Sequence, residues 1–330
     1  MAATKALVRS TETDARPLRL RERAIPAPLV GECLLRVRAA LVVAADRTTG
    51  PAGPTAAERV PGQAFVGVVE KLGPSDGDLP SSVKSLVGKR VAVHPVVRCG
   101  RCDRCLGGLS QHCRDRAILG LDRDGGWAEH AVVPIASCVA LPDSLDDERA
   151  AFAVPVARAL EAMRHVRVEG KTYITVLGDD AEALATTQMM TRLNAAVRIL
   201  ARSESTITLA EKLGVKHRRA DEVGRRGDQD VVVDCIGGAE SLAFAAALVR
   251  ARGTVILLGT GSDGSEGRTA DLASIVLGEL RVQGSFHGPL AEAVELLAKR
   301  ALDPSPLIER RLSLDAAAGR EPAVGTLLRS

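Results

Sequence analysis

The chain has 330 residues, with 44 Lys and Arg against 41 Asp and Glu for a formal net charge of +3, and 46% of its residues are apolar. That length exceeds what one core usually organises, so two domains are expected. Near-balanced charge and few rings (one Trp, one Tyr, four Phe) exclude a nucleic-acid surface of basic stripes and stacked aromatics, and the basic side chains read as solvated surface.

Residues 1–155 read as a β-rich lobe. Lys5–Val8, Cys33–Val37, Phe65–Glu70 and Arg90–Val93 are short extended runs, with loop signals at Pro51, Gly53 and Pro54 and again from Gly73 to Pro80. The N-terminal MAATKALVRSTETDARPLRL lacks the apolar core of a signal peptide. No apolar run reaches the roughly 18 residues of a membrane span, so no membrane partner and a cytoplasmic location are expected. Ser144 and Asp147 have capping-box spacing ahead of the apolar stretch Ala150–Val156, which predicts a helix start at Ser144.

From Tyr173 the rhythm changes to alternating strand and helix. Tyr173–Leu177 predicts a buried strand, and the following helix places Ala181, Leu184, Ala185 and Met189 on one face. Val197–Ala201 is the next strand, before a helix ending near Gly214. Val231–Val233 and Thr254–Leu258, with the helix Ala239–Val249 between them, are apolar runs of the kind buried on both faces of a parallel sheet. The alternation predicts a doubly wound α/β sheet. Leu280–Phe286 and a helix over Leu290–Ala301 precede the tail, and GTGSDGSEG at Gly259–Gly267 reads as a mobile loop.

Seven cysteines divide into a cluster, Cys99, Cys102, Cys105 and Cys113, and three scattered thiols, Cys33, Cys138 and Cys235. The spacing C-x2-C-x2-C-x7-C lets four thiolates reach the tetrahedral corners of one zinc ion, with Gly100, Gly107 and Gly108 freeing the loop backbone. The alternative, unrelated thiols or two disulfides, is weak in a chain expected to be cytoplasmic. Four protein ligands leave no open position, so one structural zinc is predicted.

VRCGRCDRCLGGLSQHC, with VGKRVAV before it and ILGLDRDGGWAEHAVV, DVVVDCIGG and RGTVILLGTG after it, resembles the medium-chain dehydrogenase/reductase superfamily, in its zinc-containing alcohol-dehydrogenase-like branch. The resemblance implies a GroES-like catalytic domain over 1–155 and 287–330. It also implies a Rossmann domain over 156–286, and homodimers or homotetramers formed through the Rossmann sheet. Catalysis in that branch uses a second zinc. Its ligand positions fall here on Val43 in LVVAAD, on Gln63 and Ala64 in PGQAF, and on Val154 before Pro155. Valine has no donor atom and a lone amide is a poor zinc ligand, so no catalytic zinc is expected. Asp46 with His94 is a candidate zinc-free proton-transfer pair, with a packing histidine as the alternative. Arg158 reads either as facing the cleft or as exposed on its helix. His130 reads as part of a structural strand.

A dinucleotide fold needs glycines at its first strand-to-helix turn, and here G-x-G-x-x-G appears as GDDAEA, Gly178 to Ala183. Asp180 replaces the second glycine. Like charges about 4 Å apart at an effective dielectric near 20 repel by about 4 kcal/mol, which opposes a phosphate there. One of Asp179 and Asp180 is predicted to cap the helix itself; the alternative is that both turn to solvent. Arg202 with Ser203, after the second strand, is a candidate site for the 2′-phosphate of NADP(H), or a solvent-facing strand end. Gly259 and Thr260 complete the candidate cofactor set.

Three readings stay open: an NADP(H)-dependent reductase of a small carbonyl or enoyl substrate working without catalytic zinc, a non-catalytic binding or assembly module, and a degenerate alcohol dehydrogenase holding zinc weakly.

Overall fold

The computed structural model describes residues 3–10, 18–47, 58–75, 77–261 and 272–329. The loop signals Pro51, Gly53 and Pro54, and residues 262–267 of the glycine-rich stretch, lie outside the described residues. The chain divides into two compact units, Met1–Val154 with Leu290–Ser330, and Pro155–Pro289.

The first unit is built on a seven-stranded sheet. Its path runs Cys138–Ala140, Arg90–Val93, Ala64–Leu72, Glu32–Leu41, Thr326–Arg329 and Arg310–Ser313, with His130–Pro134 also paired to Glu32–Leu41. A second sheet joins Arg19–Ala24, Ala3–Ser10 and Glu58–Arg59. Alternating apolar positions send Leu7, Leu35, Phe65 and Val91 into one core with Trp127. Gly62 sits at φ +107, and a Cβ there would meet the Trp127 ring at 2.3 Å, so only glycine lets the segment Pro61–Gln63 lie against that core. His130 lies in a strand, as expected, and its Nδ1 shares a 2.9 Å hydrogen bond with Thr4 Oγ1 of the strand Ala3–Ser10.

The short helix Asp147–Ala150 is capped by Asp146, whose carboxylate accepts the Arg149 N–H at 2.9 Å. The predicted start at Ser144 is therefore two residues early. A carboxylate adjacent to the first turn is the better N-cap acceptor than a hydroxyl that falls in the preceding turn.

The second unit is a six-stranded parallel sheet in the order His217–Arg219, Ala196–Ala201, Tyr173–Leu177, Gln229–Asp234, Val249–Leu257, Arg281–Gly284. Chain order reverses beside Tyr173–Leu177, which places the ligand crevice of such a sheet at the C-terminal end of that strand. Buried Ile174, Val176, Val231 to Val233, Val255 and Ile256 confirm strands covered on both faces. Two readings change. The helix Ala181–Met190 is buried nearly all round, including Glu182, Thr186 and Thr187, and not on one face alone. Tyr173 is exposed, with the Lys171 ammonium 5.4 Å from its ring centroid, because the first position of the strand projects beyond the core.

Candidate functional site

The cysteine lobe brings Cys99, Cys102, Cys105 and Cys113 together, with all four Sγ atoms within 4.8 Å of one another. Individual separations are 3.5 Å for Cys99–Cys113, 3.9 Å for Cys102–Cys113 and 4.0 Å for Cys99–Cys105. Tetrahedral zinc with bonds of about 2.3 Å needs sulfurs about 3.8 Å apart, so the cage fits the ion. Backbone N–H groups of Cys105 and Arg114 hold the Cys102 thiol down at about 6, and those of Arg101 and Cys102 lower Cys99. Desolvation and its sulfur neighbours push Cys105 up to about 12. Four thiolates at such separations need a cation between them, and a zinc ion held by these sulfurs would supply that charge.

In the same unit, Val43 and Val154 are buried and Gln63 is 4% exposed. The buried Asp46 carboxylate accepts the N–H of Val43 through Oδ2 and that of Gln63 through Oδ1, both at 2.9 Å. Gln63 in turn donates Nε2–H to Ala45 O at 3.1 Å. These bonds stitch the turn after Glu32–Leu41 to the Pro61–Gln63 segment, so Asp46 orders backbone. His94 Nδ1 accepts the Val96 N–H at 3.1 Å, which leaves its ring proton on Nε2.

The nucleotide turn is formed by the strand Tyr173–Leu177, the link Gly178–Asp180 and the helix Ala181–Met190. A Cβ on Gly178 would lie 2.3 Å from that of Ala183, so the turn requires glycine there. Asp180 is the N-cap: its Oδ1 accepts the Ala183 N–H at 2.8 Å. The self-capping reading of the acidic turn thus holds. Burial, with the Glu182 charge next, pushes the Asp180 carboxyl up to about 7. Asp179 reaches across to the second strand, where its Oδ1 accepts the N–H groups of Arg202 and Ser203, each at 2.6 Å. The Ser203 and Ser205 hydroxyls pair at 2.6 Å, and the Arg202 side chain is exposed.

Beside this turn, Gly237 and Gly259 approach so closely that a Cβ on Gly237 would meet the Gly259 carbonyl at 2.5 Å. The Asp234 carboxylate, fully buried, holds the loop by accepting the N–H groups of Ile236 and Gly237 and the Ser241 hydroxyl. Thr260 lies in the same turn.

Sequence reasoning missed one element of the site. Arg158 is buried, neither exposed nor solvated: its Nη1 lies 2.7 Å from Glu182 Oε1, and its Nη2 donates to Leu258 O at 2.6 Å. The pair ties the first turn of the nucleotide helix to the residue before Gly259. A lone arginine in AVPVARAL and a lone glutamate in AEALA were the available signal, since isolated charges inside apolar runs need partners. Arg149 is buried too, donating to Leu297 O, so not all basic side chains are solvated surface.

Comparison with known proteins matches the alcohol dehydrogenase GroES-like domain over residues 30–143 and the zinc-binding dehydrogenase domain over 183–301. The starvation-sensing protein RspB of Escherichia coli K12 is 33% identical over 172 residues, 51% of this chain and 49% of its own. The chain therefore aligns with about half the length of that relative. L-idonate 5-dehydrogenase of Vitis vinifera is 28% identical over 76% of this chain and 71% of its own. The crystal structure of a zinc-binding dehydrogenase from Sinorhizobium meliloti 1021 bound to NADP superposes with a TM-score of 0.80 at 27% identity, covering 100% of both chains. No helix among the described residues is long and apolar enough to cross a membrane. GroES-like and Rossmann-type domains, the four-cysteine cage and these relatives place the chain in the medium-chain dehydrogenase/reductase superfamily, in its zinc-containing alcohol-dehydrogenase-like branch.

Proposed function

We propose that this chain is an NADP(H)-dependent reductase of a small carbonyl or enoyl substrate that works without a catalytic zinc, its single zinc being structural. The observation that carries the reading is the end of the second Rossmann strand, where exposed Arg202 and the Ser203 and Ser205 hydroxyls stand in place of an acid. A guanidinium beside hydroxyls is the donor set that a 2′-phosphate needs, and the S. meliloti relative binds NADP. The cofactor would supply hydride. Val43 and Val154 offer no donor atom and the Gln63 amide donates to Ala45 O, so substrate polarisation falls to hydrogen-bond donors. With NADPH, the purified protein should reduce carbonyl or enoyl compounds with no response to added zinc. Alcohol oxidation at a rate typical of the family, appearing only when zinc is added, would refute the zinc-free assignment.

A second reading, a non-catalytic binding module, is favoured by one observation: the turn's own carboxylates already accept the N–H groups of Ala183, Arg202 and Ser203. The two readings separate on cofactor affinity. Asp180→Gly removes the carboxylate facing the phosphate path at a capping cost of only a few tenths of a kcal/mol. NADPH affinity should then rise at least tenfold at pH 8. The gain should shrink at pH 6, because the carboxyl, with its pKa about 7, is largely protonated and uncharged below that value in the parent chain. Equal NADPH affinities in parent and variant at pH 8 would mean that the Asp180 carboxylate does not obstruct the phosphate path, and would remove the observation that favours the binding module.

We further propose a homodimer or homotetramer joined through the Rossmann sheet. Its edge strand Arg281–Gly284 is exposed along its whole length, and Val276 and Leu277 on the neighbouring helix are 71% and 85% exposed. Unpaired edges and apolar patches of this kind are ordinarily covered. Light scattering of the purified chain should give two or four chains per particle; a monomer at micromolar concentration contradicts it.

A further inference from the structure

We propose that the second unit binds a compact polyphosphate at the end of its sheet opposite the nucleotide turn. The strands are parallel, so the crevice with Gly178 and Asp180 lies at their C-terminal ends, and a separate depression of about 550 Å³ lies where they begin. Five arginines line it, Arg164, Arg167, Arg250, Arg252 and Arg281, against the carboxylates of Asp230 and Glu169. In sequence these residues are scattered over more than a hundred positions; only the fold gathers them.

The lining is organised. Asp230 accepts the Tyr173 N–H at 2.7 Å and the Arg250 Nε–H at 2.7 Å, so its charge is taken up in orienting Arg250. Arg167 has no ion-pair partner among the described residues, nor has Arg281, which opens the edge strand through which the oligomer proposed above would form. Arg252 is held at φ 61, a conformation that costs a non-glycine residue free energy, with its N–H pinned to Gly278 O at 2.8 Å. Its guanidinium, 3.5 Å from Glu279, stays three-quarters exposed. A strained backbone that aims an arginine into a concave basic surface points to a ligand. One phosphate is satisfied by one or two guanidinium forks. Arg164, Arg250 and Arg252 each already meet one carboxylate, of Glu161, Asp230 and Glu279, but these are partly exposed pairs that a more highly charged anion can displace. Five guanidinium groups around a depression of this size fit a chain of phosphoryl groups. The chemistry is shared by inorganic polyphosphate and by the triphosphate of a nucleotide.

The test is calorimetric titration of the full chain at 0.15 M salt, about the physiological ionic strength, with inorganic tripolyphosphate, inorganic phosphate and ATP as probes. Saturable binding of tripolyphosphate at one per chain is expected, at least tenfold tighter than phosphate. Arg167→Gln with Arg252→Gln should weaken it at least tenfold. Arg225→Gln with Arg226→Gln, an equal loss of charge on an exposed loop outside the depression, should leave it unchanged. Tighter binding of ATP than of tripolyphosphate assigns the site to a nucleotide, and the reverse assigns it to inorganic polyphosphate; either supports the proposal. Absence of saturable binding by both, or equal weakening by the two double variants, overturns it. NADPH should not compete with either probe, which separates this site from the cofactor reading above.

Discussion

Replacing Cys102 with serine is expected to release the zinc and unfold the lobe between Val96 and Ile118. That segment has almost no core of its own. Of its side chains only Val96 and Cys113 are buried hydrophobics, its helices Asp103–Leu106 and Ser110–His112 are a single turn each, and its one ladder, Val96–Val97 with Ala117–Ile118, is two residues long. The surface ion pair Arg114–Asp103 adds little, because both groups are wet. Structural zinc in small peptides binds with an apparent free energy of about 10–16 kcal/mol, and that binding is what folds them. Zinc binding thus outweighs every other contribution to the stability of this lobe. Elemental analysis should give one zinc per chain in the parent protein and none in Cys102→Ser. Hydrogen exchange should show loss of protection at Leu106, Gly107 and Leu109, whose amides bond within the lobe. The seven-stranded sheet, whose core does not include the lobe's helices, should keep its protection. Retention of zinc by the variant, or two tightly held zincs per parent chain, would be decisive against this account.

What the sequence made legible was local. Four cysteines on a short loop reach one ion because backbone spacing alone brings them there, and Asp180 caps its helix because the acceptor and the Ala183 N–H are three residues apart. The strands Tyr173–Leu177 and Arg90–Val93 were readable to the residue, since apolar runs end where turn residues begin. Contacts spanning the sheet were not readable. Asp179 reaches N–H groups more than twenty positions away, and Arg158 meets Glu182 and Leu258 only after three strands are laid side by side. The Asp46 carboxylate shows the same limit in the first unit: nothing in the local sequence announced that its oxygens also accept the N–H groups of Val43 and Gln63, seventeen positions beyond it in the latter case. Periodicity reports which face is buried, not which buried polar group finds which partner.

Arg158→Ala should be among the most destabilising single substitutions in the second unit, at about 3–5 kcal/mol, the range for stripping one partner from a buried ion pair. Both side chains are almost wholly enclosed, at 7% and 5% exposure, so neither charge has water to fall back on. Loss of the guanidinium leaves the Glu182 carboxylate buried without its cation and frees the Leu258 carbonyl. Thermal or urea unfolding should register the loss. Replacing both residues together, Arg158→Met with Glu182→Val, should recover most of it, because desolvating two charges costs about what their attraction returns. The difference between the double variant and the sum of the singles is the coupling energy. If Arg158→Ala unfolds like the parent, the pair is not the buried contact described. A stable double variant carries a further meaning. The pair would then be dispensable for folding, and its role would be to hold the first turn of the helix Ala181–Met190 against the Gly259 turn. The readout of that role is NADPH affinity: a changed dissociation constant in a fully folded double variant places Arg158 and Glu182 among the positioning residues of the nucleotide turn, and an unchanged one confines them to packing.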